Sequence, residues 1–307
     1  MLQQGQFMGS EAWTLENDAL RAVILPGHGG KVASLVLRAS HFELLFQNPK
    51  PTFAAAHCGD DFSRFEACGF DEAFPTVDAC TVTVDGQPVP YPDHGELWSA
   101  AFTAQPDGEA LVLTFTSPLL GYRYTKRFSL EGSRLVCRYH IENPTPRDLP
   151  ALWVCHCLVR AEPDLRIELP PEVTTVENVF ANPLLGEAAQ RRQYPVADGP
   201  HGPVDLRQMP PDGMVKFYAD GPVQAGWCRY HYPHAGVTAT LRYDPKALPY
   251  LGFWATAGGY RGDVNCALEP ANGYYDNIPL ALSRGACPVL KAGASWDFPL
   301  EIELTGG

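Results

Sequence analysis

Residues 122–142 read YRYTKRFSLEGSRLVCRYHIE. Glu131-Gly132-Ser133 supplies turn chemistry between two runs rich in strand-forming residues. In the second run Leu135, Cys137, Tyr139 and Ile141 fall on one side. Arg134, Arg138, His140 and Glu142 fall on the other, with Val136 the exception. Period two with one wet face is the pattern of an antiparallel sheet packed on a core through its other face. The same grammar recurs outward from this hairpin. Thr81–Val84 and Gln87–Val89 flank Asp85-Gly86, a tight-turn pair. Further strands are predicted over 110–116, 149–159, 215–218, 223–232, 237–243, 250–256, 264–268 and 298–304. Helical periodicity is weak throughout. Residues 170–213, rich in Pro, Gly and charge, are the least regular stretch and predict a long surface excursion bordering a cleft. No linker or internal repeat interrupts the strands. The expectation is an all-β protein, one large antiparallel β-sandwich domain over residues 1–307.

Composition narrows the function. The 307 residues are 45% apolar and 19% charged, enough to bury a large core, and carry a formal net charge of -12. That charge argues against nucleic acid and anionic membranes as partners, because both need clustered Lys and Arg. It suits a small neutral or weakly charged ligand and a monomer or homodimer. No apolar run is long enough for a membrane span. The N-terminal stretch lacks the basic start and apolar segment of a signal peptide. The nine cysteines form no CxxC pair and mostly lie inside apolar runs, which predicts reduced, buried thiols and a cytoplasmic protein.

Three places can carry chemistry. NCALEPANGYYDN, residues 265–277, ends an apolar strand on Glu269. A buried, unpaired carboxylate costs several kcal/mol or shifts its pKa. Glu269 is therefore either ion-paired, with Arg261 or Arg229 as partner, or a general base at a cleft. Pro270 is expected to end the strand pairing just beyond it. LPALWVCHCLVR, residues 149–160, sets His156 on the strand face opposite Cys155 and Cys157. It is either a hydrogen-bonded core histidine or a desolvated acid–base group. Zinc is not expected here, because adjacent strand residues cannot all face one ion. PDHGELW, residues 92–98, places His94 on a loop, as a surface residue or as a proton donor to a sugar hydroxyl. GxSxG, P-loop, GxGxxG and HExxH patterns are absent from the sequence.

The order of these pieces resembles the aldose 1-epimerase, or galactose mutarotase-like, superfamily. The resemblance starts in LENDALRAVILPGHGGKVASL (15–35), continues in GFDEAFPTVDAC (69–80) and PDHGELW, runs through residues 121–159, and closes with CALEP (266–270) and KAGASWDFPLEIEL (291–304). Family members carry His-Gly-Gly where this chain has His94-Gly95-Glu96. They carry Glu-Thr-Gln where it has Glu269-Pro270-Ala271, and aromatics near His156 that it lacks.

The resemblance implies a large β-sandwich with an open sugar cleft lined by His94, His156 and Glu269, and a cofactor-free interconversion of the α and β anomers of a free hexose. Glu269 would take the anomeric hydroxyl proton, His156 would protonate the ring oxygen, and His94 would donate a second hydrogen bond. Arg64, Asp71 and Glu72 are expected to bond sugar hydroxyls at the mouth, and Trp254 to stack on a sugar face. Two rivals remain open: a non-catalytic carbohydrate-binding or sensing protein on the same fold, and a glycoside hydrolase or lyase with a second carboxylate near Glu269.

Overall fold

In the computed structural model, which describes residues 1–306, about 51% of the chain is strand and 4% helix. The 122–142 segment folds as its pattern predicts. Arg123–Glu131 pairs antiparallel with Arg134–Glu142, and Leu135, Cys137, Tyr139 and Ile141 are all buried. Val136, the exception to the alternation, is buried too. Asp85 and Gly86 take up the positive φ values of a tight hairpin between Cys80–Val84 and Gln87–Tyr91.

The strands gather into a 13-stranded and an 8-stranded sheet, with three two-stranded ribbons at the margins. The smaller sheet runs from Arg166–Glu168 through Ser295–Gly306 at its middle to Thr103–Asp107 at its edge. The larger sheet has five strands at its centre that matter here. In spatial order they are Phe70–Ala73, Val154–Cys157, Val264–Ala271, Tyr250–Ala257 and Gly213–Ala219. Alternate residues of these strands point in opposite directions. Phe70, Cys155, Cys157, Leu268, Phe253 and Phe217 pack into the core between the sheets with Leu135, Cys137 and Tyr139. The other face of the same strands is covered by loops and holds the cleft. Both faces being covered explains why 152–158 reads as a continuous apolar run instead of an alternating one.

Three details differ from the sequence expectation. The segment 149–159 is not one strand but Leu149–Pro150, which pairs with Val289–Leu290, and Val154–Cys157 and Val159–Arg160, which both pair with Val264–Ala271. Pro270 does not end the pairing: the strand continues to Ala271, with Pro270 opposite Leu251. A short helix, Ile278–Ser283, follows the turn, capped by the Asn277 side chain, which accepts from the Leu280 N–H. The 170–213 excursion contains short strands, and its Phe180 does border the cleft. Six cysteines are buried, and all nine are unpaired. Among the described residues, no helix is long and apolar enough to cross a membrane.

Candidate active site

The cleft is built on one row of side chains that crosses the larger sheet at a single level. Lys31 and Asp71 are ion-paired at 2.5 Å across adjacent strands. Asp71 is the cross-strand partner of His156. The pairs Val154↔Ala271 and Val159↔Cys266 flank His156 and Glu269 on two adjoining strands that are not paired between those points. Glu269 is opposite Gly252, and Gly252 opposite Tyr218. Directly opposed residues on one sheet face have Cβ atoms about 4.5–5.5 Å apart. The imidazole and the carboxylate singled out in the sequence both line the cleft.

Each member is held by a different device. Asp71 accepts a hydrogen bond from His156 Nδ1 at 2.8 Å, which fixes the ring and leaves Nε2 as its free nitrogen. Burial alone would push the Asp71 carboxyl up, but the Lys31 ammonium and the His156 hydrogen bond outweigh it, so Asp71 titrates well below the usual carboxylate range. Glu269 is 2% exposed, and among the described residues its Oε2 has no hydrogen-bond partner. Lys216 Nζ lies 3.5 Å from that oxygen, close enough for its charge to act and too long for a good hydrogen bond. Lys216 donates instead to Asp276 Oδ1 at 2.9 Å, and Tyr218 OH donates to the same oxygen at 2.7 Å. Burial works against the charge on Lys216, but Asp276 and Glu269 outweigh it and hold its pKa above the ordinary lysine value. Gly252 keeps the row open: a Cβ there would meet the Tyr218 ring at 3.1 Å and Glu269 Oε2 at 3.3 Å.

His94 arrives from a loop pressed onto the irregular segment that follows Phe70–Ala73. Its N–H donates to Val77 O at 2.6 Å, and the Glu96 N–H donates to Phe74 O at 2.9 Å. Gly95 between them has φ +72°, and a Cβ there would fall 1.9 Å from Phe74 O, so only glycine fits. The His94 ring stacks on Phe62, with centroids 3.7 Å apart and planes at 10°, and lies 5.3 Å from the His156 ring. Burial lowers its pKa below the usual histidine value, against the opposing pull of Asp93 on Nδ1.

His94, His156, Glu269 and Trp254 therefore line one cleft of about 190 Å³. Three expected ligand-binding residues are placed otherwise. Arg64 is exposed on the single turn Phe62–Arg64, and Phe62 is the residue that enters the cleft from that turn. Asp71 is buried behind His156 and does not line the cleft. Glu72 points into the sandwich, where it accepts from Lys126 at 2.6 Å and Tyr139 at 2.8 Å. Neighbours on a strand face opposite ways, so Asp71 and Glu72 cannot serve the same face. The arginines named as partners of Glu269 are committed elsewhere: Arg261 to Asp263 and Arg229 to Glu168.

The sequence reading missed Lys216, Asp276, Asp78 and Asn265, all of which line the cleft. Lys216 had a legible signal. In GMVKFYA, Val215 and Phe217 alternate into the core, and a lysine between them on a central strand needs an anionic partner. Asp276, in a loop, had none. The Asp78 carboxyl is raised by burial and by the nearby Asp276 charge.

No protein-family model and no curated protein sequence matches the chain. Solved structures do. Slr1438 protein from Synechocystis sp. PCC 6803 superposes with a TM-score of 0.75 at 15% identity, covering 99% of each chain. A galactose mutarotase-like protein from Lactobacillus casei ATCC 334 gives 0.72 at 18% identity, over 96% of this chain and 100% of its own. The chain has the galactose mutarotase-like fold. A GalM/aldose epimerase homologue from C. elegans matches the same architecture with a TM-score of 0.68 at 12% identity, over 99% of both chains. At these identities the likeness concerns the galactose mutarotase-like sandwich itself, and the chemistry rests on the residues in the cleft.

Proposed function

We propose that this protein is an aldose 1-epimerase-type isomerase that interconverts the anomers of a free sugar. The observation that carries the proposal is that His156 and Glu269 line one cleft, with Glu269 buried and its Oε2 without a hydrogen-bond partner among the described residues. Ring opening needs one group to take the proton of the anomeric hydroxyl and another to protonate the ring oxygen. Glu269 Oε2 takes the proton. His156 Nε2, backed by Asp71 on Nδ1, donates to the ring oxygen as the C1–O5 bond breaks. After rotation about C1–C2 the transfers reverse. His94, its ring 5.3 Å from that of His156 and its Nδ1 on Asp93, presents Nε2 as an acceptor for a sugar hydroxyl, and Lys216 balances the charge around Glu269. Trp254 offers the apolar surface for a sugar face.

The cleft also bears on substrate charge. None of its lining residues is an arginine, and its one ammonium is already held by Asp276 and Glu269. That favours a neutral sugar over a phosphorylated one. Of the cleft's other carboxylates, Asp276 is bound by both Lys216 and Tyr218, which leaves Asp78 as the second carboxylate that a hydrolase would need.

Freshly dissolved α-anomers, followed by optical rotation with and without protein, test the proposal. Acceleration of mutarotation well above the buffer rate is expected for at least one aldose. Calorimetric binding of a sugar with no acceleration would select the non-catalytic binding protein instead.

A further inference from the structure

Residues 57–64 are mostly exposed, yet Phe62 among them is 5% exposed. Its ring does not join the core between the sheets. It packs with Ala67, Trp98, Leu158 and Ala267 in a small separate cluster, and it lines the cleft. There it touches both imidazoles. It lies flat on His94, centroids 3.7 Å apart and planes at 10°, and meets the His156 ring edge to face at 5.7 Å. Trp98 stands perpendicular to it at 5.1 Å, and the Trp98 Nε1–H donates to Asp93 O at 3.1 Å, beside His94 in the chain. Aromatic contacts fix the planes of rings as well as their distances, which aliphatic packing does not.

The two histidines differ in what else holds them. His156 sits on a central strand with Nδ1 on the buried Asp71. His94 sits on a loop at φ +56°, and its Nδ1 bonds Asp93, the residue just before it. A bond to a neighbour in the same loop cannot locate the ring relative to the sheet. The flat contact with Phe62 can.

Phe62 is itself held from another wall of the cleft. Asp61 caps its turn by accepting from the Ser63 N–H at 3.0 Å. The Arg261 guanidinium then donates to Ser63 O at 3.2 Å and to Phe65 O. Arg261 follows Tyr260, which lines the cleft and meets Trp254 edge to face at 6.0 Å. The arginine therefore ties the turn that carries Phe62 to the turn that carries Tyr260.

We infer that Phe62 is a positioning residue of the reaction, a clamp that sets the His94 imidazole against His156, and that Arg261 is the latch that holds the clamp in place. This rests on the epimerase reading for what the histidines do; the clamp itself is a matter of geometry.

Two measurements test it. The first needs no turnover. Protons held over the face of a benzene ring are shifted upfield, so the His94 ring protons, assigned by their loss in His94→Asn, should resonate upfield in the parent protein. Phe62→Leu keeps apolar bulk and removes the ring. Arg261→Met keeps chain length and removes the donors. Both variants, checked for native circular dichroism, should return those resonances toward the ordinary imidazole position. Resonances that are not upfield in the parent would overturn the clamp, and resonances unmoved by Arg261→Met would overturn the latch.

The second is a double-mutant cycle read by anomer-exchange NMR and by calorimetry. Phe62→Leu should slow exchange several-fold or more, toward the roughly 10²-fold that a 1 Å misplacement can cost. In the His94→Asn background it should have little further effect, because the two residues act as one unit. An equal cost in both backgrounds would mean that Phe62 acts without His94, and the positioning role is wrong. A parent that exchanges the anomers of no aldose removes the epimerase reading instead; the cycle is then judged on sugar dissociation constants, with the same two outcomes.

Discussion

Asp71 shows how one residue ties stability to chemistry. Its carboxylate neutralises Lys31, whose side chain is 6% exposed, and orients His156 at the same time. Asp71→Ala would strand a buried ammonium, and breaking such a pair costs about 3–5 kcal/mol. A drop of that order in urea-unfolding free energy is expected, together with loss of epimerase turnover. Wild-type stability in the variant would mean that Lys31 finds another partner. Glu269 has the opposite character. It accepts no hydrogen bond on Oε2 among the described residues, and Asp276 still holds Lys216 when Glu269 is neutralised, so its conservative replacement should cost far less stability than Asp71→Ala. This is the mark of a group kept for a ligand.

At the scale of elements, the site is a consequence of strand register. Register sets Asp71 beside His156 and Glu269 beside Gly252 on one sheet face, and a one-residue slip of any strand would turn its contribution into the core. Gly252→Ala tests the row without touching its charges. The added methyl would press on Tyr218 and on Glu269 Oε2, and overpacking of this kind costs about 1–3 kcal/mol. A loss of kcat larger than the loss of stability explains is expected, read from steady-state anomer exchange beside urea titration. Equal activity would mean that Glu269 need not stand where the row puts it.

The same register explains what the sequence disclosed. His156 and Glu269 were conspicuous because each interrupts an apolar run. Their place in one cleft was not legible, since it depends on the pairing of segments more than a hundred residues apart. Glu72 departs from expectation for a local reason: the strand Phe70–Ala73 sends neighbouring carboxylates to opposite faces. Arg64 was misjudged because exposure on a short turn leaves no trace in composition.

The whole molecule places titratable groups in a β-sandwich whose larger sheet is covered on both faces. His94 and His28 both have pKa values lowered by burial. The unfolded chain then binds protons more readily than the folded one below about pH 6.5, so these groups stabilise the fold above that pH and the contribution is lost as pH falls. His94→Asn removes one of them. Urea midpoints at pH 8 and pH 5 should therefore differ less in the variant than in the parent. An equal fall in both proteins would show that His94 is not buried in its neutral form.

The central claim is that Glu269 and His156 act on one anomeric centre, and Glu269→Gln tests it most directly because it keeps shape and removes only the base. Anomer-exchange NMR on a sugar that the parent protein turns over, with calorimetry on the same sample, should show binding retained and exchange reduced by about 10²–10⁴-fold. Exchange at the parent rate would contradict the account.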